Sequence, residues 1–120
     1  MSRPAAGTIV LVDWRAGAMP SEPSKIRPAV VVEDHELFDD AYPNTIVVPL
    51  TRDEHLAIPA FAERIEPSPE NGAATTSWAL AQHVTTVSLQ RLQLTRSRIK
   101  AEQLVSLRRR IGRAIGSEIL

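Results

Sequence analysis

The chain has no cysteine and few aromatic residues, and it has neither a long apolar run nor a net charge. Without cysteine there is no disulfide framework, no thiolate zinc site and no thiol nucleophile among its 120 residues. Aromatics make up 4% of the sequence, which leaves only a thin platform for stacking single-stranded bases. The longest aliphatic stretches, Ile9–Val12 and Ala29–Val32, fall far short of the ~20 residues that cross a bilayer. The N-terminal residues lack the apolar core of a secretory leader. A cytoplasmic protein with no membrane contact is expected, built as a single domain over residues 1–120.

The zero net charge hides an asymmetry. Residues 91–120 hold eight basic and two acidic side chains, whereas residues 1–90 hold six basic and twelve acidic ones. A half that basic suits a phosphate backbone or an acidic protein segment. It equally suits a solvated helix face whose arginines complement the helix C-terminus.

Most of the chain reads as short strands. Gly7–Asp13 is β-branched and nearly free of polar residues, as in a strand buried on both faces. Residues 15–28 carry three prolines and read as a long loop. Pro28–Glu33 is a second strand, with Pro28 as its first residue, where a missing N–H costs least. Thr45–Thr51 is a third, and Pro49 within it predicts a bulge, a kink or an edge position. Phe61–Glu66 reads as an edge strand, and Asn71-Gly72 as a turn supplying positive φ angles. Ser77–Ala81 and Val84–Val87 are further strand material, with a bend at Gln82-His83 between them. From about residue 101 the period changes. Leu104, Leu107, Ile111 and Ile115 fall on one helical face, and Arg108, Arg109, Arg110 and Arg113 fall mostly on the other. The helix is placed at about 101–115, with Gly116 as its stop. The fold class is mainly β, a small curled sheet or barrel closed by a C-terminal helix.

Few residues here suit chemistry. His35, His55 and His83 lack partners at metal-ligand spacing, and there is no Gly-rich phosphate loop. What remains is a polar pair at strand ends. Lys25-Ile26-Arg27-Pro28 precedes one apolar strand, and Pro49-Leu50-Thr51 closes another. If those strands pair antiparallel, Arg27 and Thr51 come to the same rim. There an Arg beside a hydroxyl is either a phosphate clamp or no more than a loop anchor beside a strand cap.

The order of these pieces carries a resemblance. Gly7-Thr-Ile-Val-Leu-Val-Asp13, a long loop, Lys25-x-Arg27-Pro28-Ala-Val-Val-Val and Val47-Val-Pro-Leu-Thr51 together resemble the MazF/PemK toxin family. Thr85-Thr-Val87, then Arg91-Leu92 and a terminal amphipathic helix, are similar to that family's last strands and helix. The resemblance implies an SH3-like or CcdB-like barrel, usually a homodimer. It also implies the toxin half of a type II toxin–antitoxin pair, a sequence-specific endoribonuclease. Such an enzyme cleaves single-stranded RNA without metal or other cofactor, by attack of the 2′-OH on the adjacent phosphate. Its cognate partner is an acidic antitoxin, which can displace the 15–28 loop.

On this resemblance Arg27 matches the family's active-site Arg, and Thr51 matches its active-site Thr. Lys25, Arg52, Gln82 and His55 are the further positions expected to meet RNA. The chain departs from the family at one point. The family's acidic residue before its Arg-Thr strand falls on Gln82 or, one residue away, on Ala81, and neither register restores a carboxylate. His83, or His55, is then the candidate general acid or base. The alternative is a binding-only member, either a degenerate toxin or a gyrase-directed relative of the CcdB type.

Overall fold

The computed structural model describes residues 3–14 and 26–117. Among these residues seven strands and one α-helix follow in order: β1 Thr8–Asp13, β2 Ile26–Val31, β3 Asn44–Thr51, β4 Ala62–Ile65, β5 Ser77–Leu80, β6 Thr85–Ser88, β7 Leu92–Arg98 and α1 Ala101–Ala114. All pair antiparallel in the order β4-β5-β3-β2-β1-β7, with β6 also beside β3. The sheet is not closed into the expected barrel. β6 and β7 are joined by a single turn of 3₁₀ helix, Leu89–Arg91, which carries the chain from the β3 edge to the β1 edge without a ladder between them.

The three apolar strands are apolar because both of their faces are covered. Alternate residues Val10, Val12, Ala29, Val31 and Val47 join Val87 in one core, with Trp14 and Leu92 packed against it. The intervening residues Ile9, Val30, Val32, Val48 and Leu50 join a second core with Ile65, Ala79, Ile99 and Leu107. Strand alternation sends neighbours to opposite faces, so one set of strands serves both cores.

Helix α1 covers the second core. Leu107 is fully buried, and Leu104 and Ile111 pack beside it. The Gln103 side chain accepts the Lys100 N–H at 2.8 Å at the start, and Gly116 turns the chain at φ +79° at the end. Ile115 lies just past the last helical residue and is 68% exposed, so it does not extend the buried stripe as its spacing predicted. The arginine face also departs from expectation, since it is not simply solvated. Arg108 donates to the Val32 and Glu33 carbonyls at 2.9 and 3.0 Å. Arg110 reaches Glu63 at 3.0 Å and the Pro59 carbonyl at 2.8 Å, and Arg113 reaches the Ala60 carbonyl at 3.0 Å. These side chains are long enough to curl around the helix and tie it to the sheet.

Three local expectations are corrected. β7 occupies Leu92–Arg98, a stretch not read as a strand because only two of its seven residues are apolar and most are exposed. β2 begins at Ile26, so Arg27 lies inside a strand opposite Val12, and Pro28 is its third residue. Of Asn71-Gly72, only Gly72 takes a positive φ, +63°.

Beyond the end of β2 lies a buried polar knot. The Arg3 guanidinium donates to Glu33 Oε2 at 2.6 Å and to the Tyr42 carbonyl at 2.6 Å. Glu33 Oε1 accepts from the Thr45 hydroxyl at 2.8 Å and the Ile46 N–H at 3.0 Å. Both ionised side chains are almost fully buried, and their polar atoms are partnered.

Candidate functional site

The site begins where a ladder fails. Strands β2 and β3 are paired at Val31–Val47, Val30–Val48 and Ala29–Pro49, and the pairing stops there. In an antiparallel ladder alternate residue pairs exchange both hydrogen bonds. Continuing the register, the next pair is Pro28 with Leu50. At one of these two consecutive pairs a proline therefore faces its partner with no N–H to give. Ile26–Pro28 then pair with β1 alone. Leu50 and Thr51 turn their pairing to β5, at Ala79 and Trp78. Pro49 thus marks the point at which β3 changes neighbours.

The parted strand ends frame a cleft of about 560 Å³. β2 contributes Ile26, Arg27 and Pro28, and the end of β3 contributes Leu50, Thr51 and Arg52. Ile9 and the segment from Asn71 to Ser77 complete the wall. The lining offers two guanidinium groups and the hydroxyls of Thr51, Thr75 and Ser77. Among the described residues no carboxylate or imidazole lines it. A cleft of that character attracts an anion and presents hydrogen-bond donors to it.

Two details bear on what these groups can do. The Thr51 hydroxyl oxygen accepts the Asp53 N–H at 3.1 Å, which fixes its position and leaves its own hydrogen to donate. Arg27 is exposed, and its guanidinium has no hydrogen-bond or ion-pair partner among the described residues. Asn71 shapes the opposite wall. Its Oδ1 accepts from the Ser68 and Ala73 N–H groups at 3.1 and 2.9 Å, and its amide donates to the Glu66 carbonyl at 2.8 Å. In the same turn the Glu70 carboxyl is held below its ordinary range, chiefly by a hydrogen bond from its own backbone N–H and then by the Ser68 side chain.

The structure brings Arg27, Thr51 and Arg52 together, but not the other sequence candidates. Gln82 and His83 lie in a 3₁₀ turn, Ala81–His83, that packs against α1 and contributes nothing to the cleft. Oε1 of Gln82 is buried there without a partner among the described residues. His55 sits in another exposed 3₁₀ turn, Glu54–Leu56, outside the cleft lining. Lys25 and most of the 15–28 loop lie outside the described residues. Sequence reasoning missed Thr75, Ser77 and the structural part played by Asn71. The available signal was the run of small side chains after Gly72, which lets the backbone line a cleft closely. Among the described residues there is no cluster of three potential metal ligands, and no helix is long and apolar enough to cross a membrane.

Comparison with known proteins gives a consistent result. The family profile described as "PemK-like, MazF-like toxin of type II toxin-antitoxin system" matches residues 5–115. The fold is similar to MazF in a MazE–MazF crystal structure from Deinococcus radiodurans, with TM-score 0.71 and 20% identity, covering 96% of this chain and 98% of that one. It is similar to the Mycobacterium tuberculosis toxin MazF-mt6, with TM-score 0.72 and 18% identity over 93% and 99% of the two chains. An endoribonuclease from Mycobacterial species matches at TM-score 0.71 and 14% identity, over 100% of this chain and 98% of that chain. No curated protein matches the sequence.

Proposed function

The chain belongs to the PemK-like, MazF-like toxin family of type II toxin–antitoxin systems, and from that premise we propose that it cuts single-stranded RNA in the cleft between β2 and β3. The observation that carries this reading is the meeting of Arg27 and Thr51, 24 positions apart in the sequence, in one solvent-open cleft with no carboxylate among the described residues of its lining.

The reaction asks little of the protein beyond placement and charge. The 2′-oxygen of one ribose bonds to the adjacent phosphorus, and the bond from phosphorus to the 5′-oxygen breaks. The products are a 2′,3′-cyclic phosphate and a 5′-hydroxyl. Arg27 meets the negative charge that grows on the non-bridging oxygens, and the Thr51 hydroxyl donates to one of them. Among the described residues the lining holds no imidazole or carboxylate, and water takes the 2′ proton and returns one to the 5′-oxygen. Arg52, at the mouth, draws in the phosphate backbone. His83, Gln82 and His55, which lie away from the cleft, have no part in this step.

The same cleft suits an acidic antitoxin segment, which competes with RNA for the guanidinium groups. A MazE–MazF assembly is the subject of the D. radiodurans structure. We place the toxin in the cytoplasm as a homodimer, which gel filtration at low concentration checks. The binding-only alternative, whether degenerate or gyrase-directed, draws no support from these relatives.

The test is incubation of purified protein with end-labelled RNA in EDTA. Cleavage with cyclic-phosphate ends is expected, and Arg27→Ala and Thr51→Ala are each expected to reduce it steeply while remaining folded. Undiminished cutting by Arg27→Ala removes that residue from the mechanism. Intact RNA with the folded parent protein ends the nuclease reading.

A further inference from the structure

A second hollow lies one strand away from Thr51. It measures about 290 Å³ and is bounded by Glu54, Ala57 and Pro59 of the loop after β3, and by Ala62, Arg64 and Trp78 of the β4–β5 hairpin. The registers place it. Thr51 is opposite Trp78, and Trp78 is opposite Arg64. Opposed residues of antiparallel strands share a face, with Cα atoms about 5 Å apart. Thr51, Trp78 and Arg64 therefore form a row across β3, β5 and β4, and the Glu54–Leu56 turn lies against β5 with Glu54 at the hollow.

We infer that this hollow is a nucleobase subsite that takes a guanine next to the scissile phosphate. The inference rests on the RNA reading above and adds the base that the site selects. Trp78 is partly exposed, and it supplies the aromatic face that the composition alone made scarce. Its place beside Thr51 is within one nucleotide of a phosphate held there.

The polar groups define the base. The Arg64 guanidinium is already paired with Glu66, which also accepts from the Thr76 hydroxyl at 3.1 Å. The Glu54 carboxylate, by contrast, has no partner among the described residues. A free carboxylate beside a nucleic-acid backbone is repelled unless it accepts hydrogen bonds. Its two oxygens match two adjacent donors, which only guanine offers, at N1–H and the 2-amino group. In single-stranded RNA that edge is open to be read. The hollow is near the lower size limit of small-ligand sites, which suits one base and not two.

The experiment reads Trp78 directly. In Trp14→Phe protein, Trp78 is the only indole. Short single-stranded RNAs carrying guanine, inosine or adenine at one position are titrated against its fluorescence. Guanine is expected to quench it saturably, and inosine and adenine to bind about ten-fold more weakly, the loss for a hydrogen bond to a charged acceptor. Glu54→Gln should erase that preference, and Trp78→Phe should weaken binding without unfolding the hairpin. Equal affinity for the three bases, or a guanine preference that survives Glu54→Gln, overturns the subsite. Cleavage by the Trp14→Phe protein is assayed in parallel. Cutting without guanine-dependent quenching removes the subsite and leaves the Arg27–Thr51 reading intact. Guanine-dependent quenching without cutting keeps the subsite and removes the nuclease.

Discussion

Two arginines at opposite ends of the β2–β3 pair separate structure from chemistry. Arg3 is 8% exposed, and its guanidinium makes four hydrogen bonds, to Glu33 and to the Tyr42 and Asn44 carbonyls, beside the rings of Phe38 and Tyr42. Arg27 is exposed at the parted ends of β2 and β3, and its guanidinium has no partner among the described residues. The same functional group is spent on the fold in one place and held in reserve in the other. The environment of the guanidinium separates the two roles, because a buried group with four of its five N–H donors engaged is closed to a ligand.

The comparison breaks first at Arg3. Arg3→Met strands the Glu33 carboxylate in the interior, and a loss of about 3–5 kcal/mol is expected in urea unfolding. That is a large share of the roughly 5–15 kcal/mol that holds an ordinary domain folded. A change under about 1 kcal/mol means that the knot is not structural. Arg27→Ala should do the converse. RNA cleavage falls about 10²–10³-fold, the scale for removing one donor to a developing oxyanion, while the unfolding midpoint stays put. Thr51→Val keeps the shape and removes the donor. A loss of about 1.5–3 kcal/mol in transition-state binding is expected, with Thr51→Ser restoring most of it. At the small end, Arg110→Ala gives up a partly buried ion pair with Glu63 and is expected to cost about 1 kcal/mol of stability with cleavage unchanged. Arg109→Ala, with no partner among the described residues, is expected to change stability by less than about 0.5 kcal/mol.

What was legible in the sequence follows the same division. β1, β2 and β3 are readable because burial on both faces forces a continuous apolar run. Helix α1 is readable because burial on one face forces a period of three to four residues. β7 is not, because a mostly exposed strand leaves polar residues at both parities. Arg27 and Thr51 could be paired in advance, since antiparallel neighbours bring opposite chain ends together. The proline-split ladder that opens the cleft could not be read, because Pro28 and Pro49 become adjacent only through the register. The Arg3–Glu33 knot and the stapling of α1 by Arg108 were equally hidden. Long side chains reaching 30 or 76 residues along the chain leave no periodic trace. His83 drew attention as the imidazole nearest a missing acid, yet its turn packs under the helix.

The double duty of β1, β2 and β3 has a consequence for how the sequence can drift. A strand with a solvent-facing side offers about every second position to neutral change. Here only Ile26, Arg27 and Pro28, at the cleft end of β2, are exposed, so a library randomised across the rest of these strands should yield few survivors. Tolerance then concentrates in β7, at the far edge of the sheet, and in the loop after β3, which bounds the hollow at Glu54. A protein built this way can change which RNA it selects without touching what keeps it folded.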